Sequence, residues 1–100
     1  MESAKERMER AGEVYELVAK DNEELRKIVV FMKEAAARLE PLSEYYFETW
    51  LEDMEELEAK GYQHPIMNED AVYNEIADQY ELMKQILLVA AKYINGERSI

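Results

Sequence analysis

The spacing of apolar residues in the first forty positions predicts a long amphipathic helix. These residues recur alternately three and four positions apart, which places them on one face of a helix, as in the seam of a coiled coil. We expect one helix of ~37 residues and ~55 Å, either straight or kinked near Asn22, the one polar residue of the seam. A full break near Asn22 would give four helices instead of three. The seam consists of Met8, Ala11, Tyr15, Val18, Asn22, Leu25, Val29, Met32, Ala36 and Leu39.

Local signals predict the ends of this helix and of the next one. Ser3 followed by Glu6 is a capping-box pattern, which is typical of the start of a helix. Pro41 is expected to end the first helix, because proline disfavours helical geometry in the preceding residue and suits the first turn of a new helix. The second helix then extends to Lys60, and Gly61 fits the left-handed position beyond its end.

A third helix is predicted after the loop GYQHPIM at residues 61–67. Asn68 is a favourable N-cap, and the helix is expected to stop at Asn95 and Gly96. No alternation typical of strands competes with these helices. We therefore predict an all-α fold, an antiparallel three-helix bundle in a single domain of residues 1–100. The third helix is expected to turn inward Tyr73, Ile76, Tyr80, Met83, Leu87, Ala90 and Ile94.

The composition excludes several kinds of chemistry. The chain has no Cys, which rules out disulfides, thiolate metal ligands and cysteine nucleophiles. Its single His, His64, cannot supply the two Glu-x-x-His motifs of a helical di-iron site, and we expect it to be an ordinary exposed loop side chain. The glycines stand apart, so no phosphate-binding loop is present. We predict no catalytic residues, no metal and no cofactor; a carboxylate enzyme would require a cleft lined by acids.

Net charge and hydropathy limit the partners. The formal net charge of −11 is opposite to that of proteins that neutralise nucleic-acid phosphates, and an anionic membrane surface would repel it. The longest apolar runs, IVVFM and ILLVAA, are far shorter than the ~20 residues that cross a bilayer, and the N-terminal residues lack the apolar stretch of a signal peptide. We predict a cytoplasmic protein that contacts neither nucleic acid nor membrane directly, with a partner whose surface is basic.

The excess of negative charge is concentrated in the middle of the chain. Residues 41–70 hold nine acids and one base, whereas residues 1–40 hold ten acids and eight bases. Residues 71–100 are nearly balanced, with four acids and three bases. The charge is therefore a local feature of the segment EYYFETWLEDMEELE and its surroundings.

One face of the predicted second helix carries four glutamates at intervals of four residues. Like charges at that spacing destabilise a helix by ~0.2–0.5 kcal/mol per pair, so three pairs cost about 1 kcal/mol. Stability alone would not select such a face, which favours a docking surface for a basic protein; the alternative is a solvated face that confers solubility. The predicted partner-binding residues are Glu44, Tyr45, Glu48, Glu52, Glu55 and Glu56. The opposite arc, which is expected to pack in the core, consists of Tyr46, Phe47, Trp50, Met54 and Leu57.

The third helix carries a second apolar row, on a different face from its inward residues. Three helices cannot easily bury both rows, and exposed apolar patches usually mark interfaces. We therefore expect a homodimer; the alternative is that the third helix is buried centrally within one chain. The predicted self-association residues are Leu82, Ile86, Val89 and Tyr93.

Several short motifs between residues 40 and 80 resemble a bacterial family of helical proteins, the domain of unknown function 4298. They are the paired tyrosines Tyr45-Tyr46, the Trp50-x-x-Asp53 step, Gly61, and the run EDAVYN at residues 69–74. The resemblance implies a helical fold and a bacterial or phage origin. It implies no catalytic residues.

Together these patterns predict a non-enzymatic acidic helical protein that docks on a basic partner through its second helix. The expected mechanism is electrostatic steering followed by docking. Carboxylates one turn apart step ~6 Å along the axis, similar to backbone phosphates, so one version is a nucleic-acid-mimicking inhibitor of phage or mobile-element type. The alternative is a homo-oligomeric structural protein whose acidic face only confers solubility.

Overall fold

Three α-helices and a short 3₁₀ turn make up the fold in the computed structural model, which describes residues 1–97. None of these residues forms a β-strand, so the predicted all-α class with three helices, the first of them long, is confirmed. Contacts divide the chain into two compact units, Met1–Arg38 and a second unit that begins at Leu39. The elements are α1 (Ala4–Glu48), α2 (Trp50–Ala59), the 3₁₀ turn (Pro65–Met67) and α3 (Glu69–Ile94).

The first helix begins where the capping pattern predicts. The Glu6 N–H donates to Ser3 Oγ at 3.1 Å, which satisfies one of the free amides at the helix start. α1 continues through Asn22 without a break, so the expectation of one long helix is confirmed and the four-helix alternative is wrong. No residue of α1 is buried, and seam residues such as Tyr15 and Leu25 are exposed.

The prediction that Pro41 ends the first helix is wrong. α1 continues through Pro41 to Glu48, and the next helix is Trp50–Ala59 rather than residues 41–60. The proline φ is already helical, so the disruption is limited to one missing N–H donor and crowding against the carbonyl of Ala37, at a cost of about 3 kcal/mol. The helical turns on both sides keep the remaining hydrogen bonds, and the helix tolerates the defect.

The change from α1 to α2 is confined to Thr49. This residue has φ −125° and ψ −23°, outside helical geometry. Backbone hydrogen bonds nevertheless continue on both sides, from Thr49 N–H to the Tyr45 carbonyl at 3.0 Å and from Asp53 N–H to the Thr49 carbonyl at 3.2 Å. The predicted second helix is therefore divided at a single residue.

The end of α2 is formed by Gly61, as predicted. Gly61 has φ 78°, in the left-handed region where a side chain would be strained. Its N–H donates to the Glu58 carbonyl at 3.0 Å, and the Tyr62 N–H donates to the Leu57 carbonyl at 3.0 Å. This pair of bonds is a Schellman motif, which satisfies the last carbonyls of the helix and turns the chain into the following loop.

Both ends of α3 also agree with the sequence. Asn68 Oδ1 accepts hydrogen bonds from Asp70 N–H at 2.9 Å and from Ala71 N–H at 3.3 Å. At the other end Gly96 has φ 82°, and its N–H donates to the Tyr93 carbonyl at 3.0 Å. These contacts are local in sequence, which is why the pattern of residues could predict them.

The predicted inward row of α3 is largely uncovered. Ile76 and Met83 are half-buried, but Tyr80 and Leu87 are 66% and 69% exposed, so the prediction that the whole row turns inward is wrong for the described chain. The 3₁₀ turn that precedes α3 contacts this helix. Val72 is 3% exposed and is the one buried residue of α3, so the buried part of this helix lies in its first turns.

Candidate protein-binding surface

Trp50 is one of the two buried side chains in the described part of the second unit. Its side chain is only 5% exposed, and its indole Nε1–H donates to the Ile66 carbonyl at 2.6 Å. The indole also lies against Tyr46, with ring centroids 5.4 Å apart. A buried indole requires a hydrogen-bond acceptor, and the loop after α2 supplies one. Trp50 therefore fixes the loop that precedes α3 against the first turn of α2.

The predicted aromatic arc is confirmed except for one member. Trp50 is buried and Tyr46, Met54 and Leu57 are half-buried, whereas Phe47 is 67% exposed and touches Tyr46 edge-on at a centroid distance of 5.0 Å. The arc assumed one continuous helix, and the non-helical residue between α1 and α2 changes the phase. Of the two arc residues in the last turn of α1, Tyr46 still lies against Trp50 and Phe47 does not.

Tyr46 lies close to the start of α3. Loss of solvation raises the pKa of its hydroxyl, and the charges of Glu69 and Asp70 raise it further. Both carboxylates belong to the first turn of α3, where they favourably meet the helix dipole. Tyr46 consequently connects the core around Trp50 with the acidic N-terminus of α3.

Tyr45 is fixed by a hydrogen bond. Its hydroxyl donates to Asp53 Oδ2 at 2.7 Å, and both residues are half-buried. This hydrogen bond raises the pKa of the Tyr45 hydroxyl, with smaller contributions from lost solvation and from the Asp53 charge. Tyr45, one of the predicted partner-binding residues, is thus held in place by Asp53, and part of its side chain remains accessible.

The five predicted partner-binding glutamates are all exposed, but they do not lie on one continuous helix. Two of them belong to the last turns of α1 and three to α2, so the predicted row is divided at Thr49. Of these five glutamates, only Glu56 forms an ion pair with another described residue, Lys60, at 3.6 Å. We define the acidic surface as Glu44, Tyr45, Glu48, Glu52, Glu55 and Glu56.

A groove lies beside the acidic surface, between α2 and the loop that follows it. It has a volume of about 190 Å³ and is mainly apolar, with Asp53 as its one carboxylate. A shallower hollow of about 350 Å³ adjoins it and adds Glu58 to the lining. No Lys or Arg lines either space. We call the first space the loop groove; it is lined by Tyr45, Trp50, Asp53, Met54, Leu57, Tyr62, His64, Ile66 and Met67.

His64 is exposed, as predicted, but it also has a structural role that the sequence did not show. Its Nδ1 accepts a hydrogen bond from the Ile66 N–H at 3.2 Å and so caps the 3₁₀ turn. Because Nδ1 accepts, the proton of the neutral ring lies on Nε2. His64 therefore shapes the wall of the loop groove.

The loop groove itself was missed by sequence reasoning. It depends on the fold of the loop at residues 61–67 back over α2, which the Trp50–Ile66 hydrogen bond fixes. The available signals were the single Trp within an acidic helix and the Pro65 that begins the 3₁₀ turn. Residues 1–97 contain no group of three or more His, Cys, Asp or Glu side chains placed to hold a metal ion.

The predicted self-association residues form an exposed row on α3. All four are partly accessible, and Tyr93 is the most exposed at 73%. No helix in the described part of the chain is both long and apolar enough to span a membrane. The four residues of the α3 row are Leu82, Ile86, Val89 and Tyr93.

Comparison with known proteins gives one family. The model of the family described as Domain of unknown function (DUF4298) matches residues 6–89, which confirms the resemblance and extends it beyond residues 40–80. No curated protein matches the chain, and no solved structure matches it.

Proposed function

We propose that this chain, which belongs to the DUF4298 family, is a non-enzymatic protein that docks on a basic partner protein through its acidic surface. The observation that supports the proposal most directly is the set of four glutamates that are exposed and without an ion pair among the described residues. They are Glu44, Glu48, Glu52 and Glu55.

Electrostatics supports a basic partner. Residues 41–70 contain one base, Lys60, and it already lies near Glu56. The repulsion among the remaining carboxylates is therefore not relieved locally, and a basic surface would relieve it on contact. Such a partner would be steered towards this face before docking, and the rate of association would fall as salt rises.

The loop groove supports a specific contact in addition to attraction. Protein interfaces usually combine an apolar, aromatic centre with a polar rim. Tyr45 lies at the boundary between the acidic surface and the groove, and Met54 and Met67 provide adaptable apolar walls. In this proposal the glutamates form the rim and the groove receives an apolar part of the partner.

One version of the proposal is a nucleic-acid-mimicking inhibitor of phage or mobile-element type, acting in the cytoplasm of a bacterium. A basic partner that normally binds nucleic acid would be occupied by the acidic surface instead. The net charge of −11 disfavours direct binding of nucleic acid by this chain. The break at Thr49 divides the carboxylates into two shorter runs, so mimicry would involve α1 and α2 as separate segments.

The alternative is a homo-oligomeric structural protein in which the acidic surface only confers solubility. The exposed apolar row of Leu82, Ile86, Val89 and Tyr93 favours a homodimer through α3. The antiparallel three-helix bundle predicted from the sequence belongs to this part of the proposal. It would be completed when the apolar rows of α1 and α3 are covered, within one chain or between two copies.

Capture from a bacterial lysate at low and high salt tests the docking proposal. The baits are the native chain, a variant with Gln at positions 44, 48, 52 and 55, and a matched control with Gln at positions 13, 16, 23 and 34. The control removes the same number of exposed glutamates from α1, outside the acidic surface.

The proposal predicts a basic protein that the native and control baits retain at low salt and release at high salt, and that the first variant does not retain. Equal retention by all three baits would show that the acidic surface is not the docking site. Recovery of the chain alone with every bait would favour the structural alternative.

A further inference from the structure

The seam of α1 has the composition and continuity of a coiled-coil strand. The helix is unbroken from Ala4 to Glu48 and none of its residues is buried. In heptad letters, the a positions are Met8, Tyr15, Asn22, Val29 and Ala36, and the d positions are Ala11, Val18, Leu25, Met32 and Leu39. An apolar stripe of this length, uncovered in water, requires a partner helix.

Asn22 indicates the orientation of that partner. A single Asn at an a position lowers the stability of a coiled coil but specifies its register, because the two amides bond to each other. In a parallel, in-register pair, a positions meet a positions, and Asn22 would face Asn22 of the second copy. In an antiparallel pair, a positions meet d positions, and the amide would face an apolar side chain with its hydrogen bonds unmade.

The flanking charges complement a second copy of the same helix. Asp21 lies at a g position and Arg26 lies at the e position five residues later, which is the spacing that meets across a parallel pair. Neither residue forms an ion pair among the described residues, although both are exposed. Two-fold symmetry would form the contact between Asp21 and Arg26 twice, one turn from the paired Asn22 amides.

We propose that the α1 seam is covered by a second copy of this chain, in a parallel, in-register coiled coil with Asn22 at its centre. This inference shares the homodimer of the structural alternative above but places its contact on α1 instead of α3, and it is independent of docking through the acidic surface. The g positions Val14 and Ile28 are apolar and widen the seam on one side. That edge remains available for antiparallel packing of α3 in a larger bundle.

Engineered cysteines provide the test, because the native chain has none. The variants Val18→Cys and Met32→Cys place one thiol each at d positions that are fourteen residues, or about 21 Å, apart along the helix. A parallel, in-register pair brings both thiols close to their own copies, whereas an antiparallel pair can do so for one of them at most. Lys27→Cys, on the opposite face of α1, is the control for random collisions.

We expect Val18→Cys and Met32→Cys to form disulfide-linked dimers under mild oxidation and Lys27→Cys to remain unlinked. Linkage of only one d variant, or equal linkage of the control, would overturn parallel pairing. Sedimentation of the native chain separates the two claims. If the native chain sediments as a dimer but neither d variant cross-links, the chain is a homodimer that does not pair through α1. If the native chain sediments as a monomer, both the homodimer and the α1 pairing are rejected.

Charge exchange is a second test that leaves the apolar seam intact. Arg26→Asp turns both symmetric attractions into repulsions, and the dissociation constant of the dimer should rise on the order of fivefold. Adding Asp21→Arg to that variant restores opposite charges and should return the constant close to the native value. Failure of the second change to rescue the first would contradict the pairing of these residues across the dimer.

Discussion

The hydroxyl of Tyr45 donates a hydrogen bond to Asp53 Oδ2 at 2.7 Å, across the one non-helical residue between α1 and α2. This bond connects the last turn of α1 to the first turn of α2. It also places the Tyr45 ring between the exposed glutamates and the loop groove. The candidate surface therefore depends on a fixed geometry at Thr49 as well as on its charge.

This relationship predicts how Tyr45 titrates. The hydrogen bond to Asp53 raises the Tyr45 pKa above the ordinary value of about 10. The fold stabilises the protonated form of this hydroxyl. The contribution of the hydrogen bond to folding stability is therefore present below pH ~10 and is lost as pH rises through the raised pKa. Asp53→Asn should lower the Tyr45 pKa towards the ordinary value, as measured by the NMR shift of the labelled tyrosine Cζ.

The control for that titration is Tyr45→Phe, which identifies the Tyr45 resonance by its disappearance. An unchanged Tyr45 pKa in Asp53→Asn would mean that the bond does not persist in solution.

Trp50→Phe should destabilise the second unit. The substitution removes the indole N–H, leaves the Ile66 carbonyl without its donor and creates a small void, at a combined cost of about 1–3 kcal/mol. Urea unfolding followed by circular dichroism measures the change in free energy. Phe47→Leu is the matched aromatic control, since Phe47 is 67% exposed, and it should change stability by less than ~0.5 kcal/mol. Equal effects of the two substitutions would contradict the described core.

Pro41→Ala distinguishes a proline inside a helix from one at a helix start. In the interior, Ala restores an N–H donor and removes the clash with the preceding turn, so stability and helix content should increase, by up to ~3 kcal/mol. At the first position of a new helix the same change would be neutral or slightly destabilising. Thermal unfolding of the variant decides between the two, and a lower midpoint would show that α1 ends before Pro41 after all.

The N-cap of α3 gives a prediction with an internal control. Asn68→Ala removes the acceptor of the Asp70 and Ala71 amides and should cost about 1 kcal/mol of unfolding free energy. Asn74→Ala changes the same residue type on the exposed side of α3, where no cap is lost, and should be neutral or slightly stabilising. Equal losses in both variants would remove the capping role assigned to Asn68.

The features that the sequence predicted correctly depend on neighbouring residues. Asn68 caps the helix that follows it, and Gly61 takes the left-handed conformation where the preceding helix ends. Each involves a few bonds within one or two turns, so the local pattern of residue types contains the necessary information.

The features that the sequence predicted wrongly depend on balances between distant or opposing effects. The destabilisation of α1 by Pro41 is offset by hydrogen bonds in the turns around it. No local sequence rule gives the balance between these two free energies. The break occurs instead at Thr49, where no strong breaker stands. The loop groove required knowledge that the indole of Trp50 would bond to Ile66, sixteen residues away.

The affinity of the captured complex as a function of salt tests the central claim most directly. With the partner purified, the dissociation constant is measured over a range of ionic strength for the native chain, the variant with Gln at 44, 48, 52 and 55, and the control with Gln at 13, 16, 23 and 34. Docking through the acidic surface predicts that the native chain and the control weaken steeply and alike as salt rises. The first variant should bind on the order of tenfold more weakly at low salt and respond less to salt. Identical constants and identical salt dependence for all three proteins would contradict the account.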